Sequence, residues 1–598
     1  MSDVNVPVLI VGGGGAGLTA SMLLSQLGIE TWLVNARPST SDLPKAHVLN
    51  QRAMEILKDV GIADAIYARG TPLENMKASA WYAGLAGDDE DYGRKIGQLE
   101  AWGAGYTNPD WAAASPCPST NLPQIRLEPI LRKRAEELAP GKIHFSHEVV
   151  DIHQDEDGVT TTIRNLNENS EYTVTSKYVL ACDGGRTIGP ALGIAMEGPR
   201  DLQRQVTIHM TADLSAWARD PEVLIRWIWP PHKGVMCVLV PMGPEKWGPH
   251  SEEWVFHLNY PMDDPKAVDD AQIEDAMRDA LGIGDHPVKI HKITRWSLEG
   301  VVAERFQAGR VFLMGDAAHR HPPTGGLGLN SAIQDAHNLC WKLAAVLTGK
   351  ASDRLLESYE VERKPVVQNN VNCSIESALN HSAIAEAMQV GPNAGTDANW
   401  KNLKRLWSDR PEDDDFRRNV VRAIHTQTME FAEHNVEYGY NYRAEGAAIV
   451  PGAGEHPPSP DMRRIYQANT EPGSCLPHAW LDTYDAGRIS TLDLVRPGHF
   501  LLIAGEDGGA WVDAAKHLAE MMQIPLDSVT IGAARGDYLD QRSDWLSQRG
   551  ISKAGAVLVR PDRFVAWRSL GGAAGSPVAE LHQALSLVLR KDELRNAA

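Results

Sequence analysis

The stretch VPVLIVGGGGAG, residues 6–17, decides how this chain folds at its start. Val6 to Val11 is a short apolar run of the kind that makes a buried strand. From Ala16 to Leu27 the apolar residues Leu18, Met22, Leu23 and Leu27 return at helical spacing, and Gly28 is placed to end that helix. Thr31 to Val34 reads as a second strand. In the turn, Gly12 permits the tight bend, Gly14 lets the backbone approach a pyrophosphate, and Gly17 lets helix and strand pack closely. Gly15 and Ala16 open the helix, whose free N–H groups stabilise phosphate charge. Strand, glycine turn, helix and strand in this order open a dinucleotide-binding α/β sheet. The fingerprint usually closes its second strand on Asp or Glu, to hold ribose hydroxyls. Here that place is taken by Asn35, a neutral acceptor, followed by Ala36 and by Arg37, which either meets a phosphate or lies on the surface.

Outward from this start, the 598 residues suggest three to four domains of ordinary size. Hydrophobic residues at 43% and charged residues at 23% are a normal globular balance. A net charge of -20 repels nucleic acid and anionic membrane, so neither is expected as a partner. Six cysteines lack CxxC or zinc spacing and read as free thiols, with no metal site. No signal-peptide pattern and no long apolar run is present, so a cytoplasmic location is expected. Domains are expected at 1–190 and 296–360 (two parts of a cofactor domain), 191–295 (an antiparallel sheet), 361–450 (helical) and 461–598 (α/β). Pro451 to Pro460 reads as a linker, a long helix is expected from Ser331 to Leu347, and the acidic run Glu412 to Asp415 as a solvated face.

The fingerprint alone does not separate NAD from FAD, and a second glycine-rich segment helps. Gly309-Arg-Val-Phe-Leu-Met-Gly315-Asp316-Ala-Ala-His319 is a strand ending in Gly-Asp, suited to a carboxylate that accepts hydrogen bonds from a sugar-like hydroxyl chain. It continues into Pro322-Pro323-Thr-Gly-Gly326-Leu-Gly328-Leu329-Asn330, whose backbone N–H groups beside a helix start suit a flavin's carbonyl edge. Cys182-Asp183-Gly184-Gly185-Arg186 follows a further expected strand, and its Asp183 is a candidate cofactor-binding residue.

Three such segments in this order resemble the class A flavoprotein aromatic hydroxylases. KAHVLNQRAMEIL at 45–57, NLPQIRLEP at 121–129, HRHPPTGGLGLN at 319–330 and VLVRPDRFVAWR at 557–568 are similar to the subgroup of 2,4-dichlorophenol 6-monooxygenase and 2-hydroxybiphenyl 3-monooxygenase. The resemblance spans nearly the whole chain. Lys45 departs from it by standing where Arg is usual, and CDGGRT at 182–187 replaces a more typical ADGANS.

The resemblance implies a Rossmann-like FAD domain, an antiparallel-sheet substrate domain and a C-terminal thioredoxin-like domain, here without CxxC and so suited to packing or to a homodimer contact. It implies bound FAD, transient NADH or NADPH, and O2 delivered through a flavin hydroperoxide to a small phenolic substrate. Arg52 and Gln124 would contact FAD, Asp316 its ribityl or pyrophosphate part, and Pro323 with residues 326–330 would border the isoalloxazine ring. His47 matches the subgroup's catalytic base, needed because a phenol of pKa about 10 is mostly protonated at neutral pH. Asp213 is a candidate for orienting base or substrate. Trp227 and Trp229, two apart and so on one face of a strand, line an aromatic pocket or a core, with Pro322 near by. His319 and His321 read as structural hydrogen bonders. The rivals are a tailoring hydroxylase of a polycyclic natural product, an NAD-dependent dehydrogenase, and a flavin-binding interaction protein without turnover.

Overall fold

Val4–Val11 is buried along most of its length and pairs in parallel with Ser170–Ala181 on one side and Thr31–Asn35 on the other. The computed structural model describes residues 3–264, 267, 269–452 and 459–591. The parallel sheet extends to Val311–Leu313 and to Ile143–Phe145, with antiparallel additions at Gln307–Ala308, His147–Gln154 and Val159–Asn165. Helices Gly15–Gln26 and Leu327–Leu347 pack against it around one large apolar core. The second helix starts four residues before the expected Ser331. Gly326, at φ +65°, takes the bend, so Leu327 and Gly328 already have helical backbone.

A seven-stranded sheet, mostly antiparallel, lies beside this unit in the order Lys289–Leu298, Gln203–Thr211, Glu253–Tyr260, Cys237–Gly243, Val223–Ile228, Ala78–Ala83, Arg94–Glu100. It therefore takes two strands from before residue 190. ASAWYA at 78–83 is buried at every position, so it has none of the alternation that marks a half-exposed strand. One face packs Trp254, Phe256 and Leu258 against the Asp270–Leu281 helix. The other carries Trp81, Trp227, Trp229, Val238, Val240 and Val255 and is covered by Ser382–Met388, Asp414–Thr426 and Phe431. In the acidic run, Asp413 is not solvated. It is 2% exposed and accepts from Arg405, Ser408 and Arg410.

Phe500–Gly505 and Leu526–Gly532 are parallel, Ala556–Val559 and Val565–Ser569 follow antiparallel, and helices Gly509–Met522 and Pro577–Val588 pack on one face, the arrangement of a thioredoxin fold. This domain docks on its own chain through the VLVRPDRFVAWR segment. Arg560, fully buried, bonds Glu362 at 2.7 and 2.9 Å, and Arg563 pairs with Asp59 at 2.5 Å. Of the expected linker, residues 453–458 lie outside the described residues.

Between the flavoprotein-like unit and this domain lies Glu437, whose Oε2 finds no hydrogen-bond partner among the described residues. Burial pushes its carboxyl up to about 8, whereas an unfolded Glu titrates near about 4.3. Between those pH values the folded chain holds the proton and the unfolded chain releases it. Stability from this group is thus complete below about pH 4.3 and is lost as pH rises through the folded value. Glu437→Gln is expected to remove that loss, up to about 1.4 kcal/mol per pH unit. Denaturant midpoints near the two ends of that window check it: the variant should gain on the parent only at the alkaline end.

Candidate active site

Three backbone turns meet at one place. A Cβ on Gly12, at φ +118°, would lie 2.1 Å from the Cys182 carbonyl oxygen, and one on Gly17 would lie 1.9 Å from the Gly12 oxygen. A Cβ on Gly315 would meet Ala16 at 3.3 Å, and one on Gly185 would meet the Asp316 carbonyl at 3.3 Å. Glycine is required at Gly12 and Gly17, where a Cβ would overlap backbone, and is favoured at Gly185 and Gly315 by their positive φ. Gly14 is different. Its Cβ would meet only Glu128 Oε1, at 3.5 Å, so the missing side chain leaves space in front of a helix N-terminus that has no side-chain cap. That space, with the first N–H groups of Gly15–Gln26 directed into it, fits a diphosphate.

The rim of this cradle is polar. Gln124, in the first turn of Gln124–Leu138, donates to Glu128 Oε1 at 2.5 Å, and Ser41 N–H donates to Glu128 Oε2 at 2.6 Å. Burial raises the Glu128 carboxyl, opposed by those bonds and by the nearby charges of Lys45 and Arg37. Lys45 and Arg37 are both exposed, so two cations stand beside the glycine turn. Asn35 braces the turn itself: its Oδ1 accepts from Gly13 N–H at 3.1 Å and its amide donates to the Arg37 carbonyl. Ala36 is exposed. Asp316 is exposed at the second turn, and its carboxylate bonds no other described residue.

Three expected residues are placed otherwise. Arg52 is 1% exposed, pairs with Glu55 at 2.5 Å and lies over the Tyr438 ring at 4.2 Å. Two positions into its helix after the Asn50 cap, it points into the interior and away from the cradle. Asp183 caps a turn, accepting from the N–H groups of Gly185, Thr187 and Ile188 at 2.7–3.1 Å, which occupies its carboxylate. Asp213 lies on an exposed turn and accepts from Ser215 Oγ and N–H, away from the aromatic face of the sheet.

The start of Leu327–Leu347 is tied to the strand Val48–Leu49 by Asn330. Its Oδ1 accepts from Asn50 N–H at 3.0 Å, and its Nδ2 donates to the carbonyls of Val48 and Gly326 at 3.1 and 2.7 Å. His47 is thereby held beside the Gly325–Gly326 turn. Its Nδ1 lies 2.6 Å from Asn121 Oδ1, and Asn121 Nδ2 donates to Thr71 Oγ1 at 2.7 Å. Asn121 therefore offers His47 an acceptor, so Nδ1 carries the proton and Nε2 keeps its lone pair. Burial lowers the His47 pKa, which keeps the ring neutral. His47 and His257 lie deep in the molecule yet each keeps part of its surface open, so both border a cavity, whereas the ring nitrogens of His321 are enclosed and without a partner among the described residues. Val48, the neighbour of His47, packs in the same cluster as Trp81, Trp227 and Trp229.

Trp227 packs against His381 with ring centroids 4.0 Å apart and donates to Ser79 Oγ at 2.8 Å, and Trp229 is buried on the same face. Pro322 is buried and Pro323 exposed, just ahead of Gly325, Gly326 and the helix-start residues Gly328 and Leu329. His319 is structural, bonded to Asp335 at 2.7 Å, and Asp335 also accepts from Gly315 N–H. Sequence reasoning missed Asn121 and Thr71 as partners of the histidine. It also missed Arg126, which ties the Gln124–Leu138 helix to the antiparallel sheet through Glu253 at 2.7 Å, where His209 bonds the same carboxylate at 2.7 Å. Burial raises Glu253, but those two bonds outweigh it and bring it to about 2.

Comparison with known proteins follows this geometry. A family model described as FAD binding domain matches residues 5–374, and one described as aromatic-ring hydroxylase, C-terminal, matches residues 469–591. The chain is 34% identical to 2,4-dichlorophenol 6-monooxygenase of Delftia acidovorans, covering 98% of each. It is 35% identical to phenol 2-monooxygenase of Pseudomonas sp. (strain EST1001), over 98% of this chain and 92% of that one. Among solved structures, the flavin-dependent monooxygenase PieE with FAD and substrate superposes with a TM-score of 0.91 at 36% identity, over 99% of this chain and 100% of that one. Aklavinone-11 hydroxylase with FAD and aklavinone gives a TM-score of 0.77 at 27% identity, over 99% and 100%.

Proposed function

This chain belongs to the FAD-dependent aromatic-ring hydroxylases, and from that membership we propose that it hydroxylates a phenolic ring, using NAD(P)H and O2, with His47 as the base that ionises the substrate. The observation behind the role of His47 is its fixed tautomer: Asn121 holds Nδ1–H, so Nε2 faces the cavity as a proton acceptor. The residues present fit FAD. Gly14 to Gly17, with Lys45 and Arg37 at the rim, would hold the diphosphate, Gln124 would border it, and Asp316 would accept from the ribityl hydroxyls. The first N–H groups of Leu327–Leu347 would meet the flavin carbonyl edge. When bound, FAD supplies hydride acceptance and oxygen activation.

The chain itself supplies binding, exclusion of water and one proton transfer. Trp81, Trp227 and Trp229 are at most 6% exposed beneath the helices that cover their face, so they form a packed core beside the site. His47 Nε2 takes the phenol proton, leaving a ring electron-rich enough to attack activated oxygen. No helix of the described residues is long and apolar enough to cross a membrane. The C-terminal domain packs on its own chain through Arg560 and Arg563.

The function is tested by following NAD(P)H oxidation and oxygen uptake over a panel of phenols. Phenol-dependent consumption of both is expected, and its absence across the panel overturns the reading. Asp316→Ala is expected to weaken FAD retention about tenfold, the loss of one hydrogen bond to a charged group. Flavin content after ultrafiltration measures it, and an unchanged content rejects the ribityl assignment.

A further inference from the structure

We propose that His257 is a second catalytic residue, a neutral imidazole whose Nε2–H donates to the oxygen of the bound phenolate while His47 takes the proton. The inference rests on the phenol hydroxylase reading above and assigns a group that reading does not use. His257 lies on Glu253–Tyr260, on the same face as Val255, and so on the face that carries the tryptophans. Trp254, Phe256 and Leu258 alternate with it and fill the core on the other side.

The Nδ1 of His257 has a hydroxyl partner. Thr207 Oγ1 lies 3.0 Å from His257 Nδ1 and accepts from Trp296 Nε1 at 3.0 Å. A threonine hydroxyl has one proton of its own to donate. With that proton given to Nδ1, Nε2 bears the hydrogen, and this is the tautomer that would donate to a phenolate. In that tautomer His47 presents an acceptor and His257 a donor, and Val48, beside His47, packs in one cluster with Val255, on the same face as His257. The two histidines are close enough that His47 adds to the burial that lowers His257 to about 3, so the ring stays neutral throughout the working range.

The chemistry needs such a donor. Burial weakens His47 as a base, so proton transfer from a phenol to it is uphill unless the phenolate is stabilised. In the step, the phenol O–H bond breaks, the proton joins His47 Nε2, and the electron pair stays on the oxygen. His257 keeps its proton and shares it through a hydrogen bond. This is stabilisation by a fixed dipole aimed at the charge that develops.

The test uses the FAD-loaded enzyme and 4-nitrophenol, whose phenolate is visible by absorption. His257→Leu removes the donor. It is expected to lower the ionisation constant of the bound probe about tenfold or more, and kcat for phenols at neutral pH by about tenfold to 100-fold, with KM changed far less. His257→Gln places an amide N–H near the same point and should recover both to within about threefold of the parent. A His257→Leu enzyme that ionises the probe like the parent overturns the assignment. Should that variant fail to hold FAD, Thr207→Val decides: it leaves the ring but removes the hydroxyl that orders its protons, and unchanged probe ionisation overturns the proposal. A parent that ionises the probe but shows no phenol-dependent NAD(P)H oxidation overturns the proposed function and leaves His257 standing. A parent that binds no probe overturns both.

Discussion

His47→Ala is expected to lower kcat for a phenol at neutral pH by about 100-fold to 10,000-fold while FAD stays bound. The ring contacts Asn121 and faces the cavity, and no glycine turn depends on it, so the cofactor cradle keeps its shape. Without the base, turnover relies on substrate that has already ionised in solution. That fraction rises about tenfold per pH unit until the phenol pKa of about 10. The deficit should therefore shrink steadily with pH and nearly vanish in strong alkali. In the parent, burial holds His47 below its ordinary pKa, so activity should persist to lower pH than an exposed histidine allows. Steady-state NAD(P)H oxidation measured across pH for both enzymes checks the pattern. Full activity of the variant at neutral pH would show that the phenol proton leaves by another route.

Loss of the buried charge at Arg560 should have the largest effect on stability. Its guanidinium bonds Glu362 at 2.7 Å and Asp562 at 2.5 Å, and Lys342 shares Glu362 at 2.7 Å. All four side chains are at most 1% exposed. Removing one partner leaves a carboxylate buried and undercompensated, so Arg560→Met is expected to cost about 3–5 kcal/mol in urea unfolding. Burial opposes the charge on Glu362, but Arg560 and Lys342 outweigh it and hold that carboxyl far below the ordinary range. The contribution is thus complete above about pH 4.3, the unfolded value, and is lost as pH falls toward the folded one. The next residue, Arg363, bonds Asp335 at 2.8 Å, and Asp335 holds Gly315 N–H at 3.0 Å. Undocking the C-terminal domain should therefore also loosen the Gly315–Asp316 turn. Flavin and tryptophan fluorescence followed through the same titration would show flavin release at or before unfolding. A cost below about 1 kcal/mol would mean that water replaces the pair.

Legibility differed by residue. Gly12 and Gly17 could be read from spacing because a strand–turn–helix packed this closely leaves no room for a Cβ, whatever the rest of the chain does. Arg52 could not be placed that way. In KAHVLNQRAMEIL both Lys45 and Arg52 are cations within one motif, and only the Asn50 cap, by setting where the helix begins, turns Arg52 inward to Glu55 and leaves Lys45 at the rim. Asp183 looked like a free carboxylate because nothing in CDGGRT says that three N–H groups behind it fold back. His47 could be singled out, but its tautomer depended on Asn121, 74 residues from the histidine, and on Thr71, 50 residues from Asn121.

By itself the sequence determined the parallel sheet, the glycine cradle and the Gly-Asp turn, since each follows from neighbours a few residues apart whose backbone geometry is dictated by residue type. Tertiary structure alone decided which charges face the cradle, which way the His47 imidazole carries its proton, and that two strands from 78–100 complete the aromatic core. Those properties depend on which donor or acceptor, from a distant part of the chain, arrives within hydrogen-bonding distance, and local pattern holds no record of that.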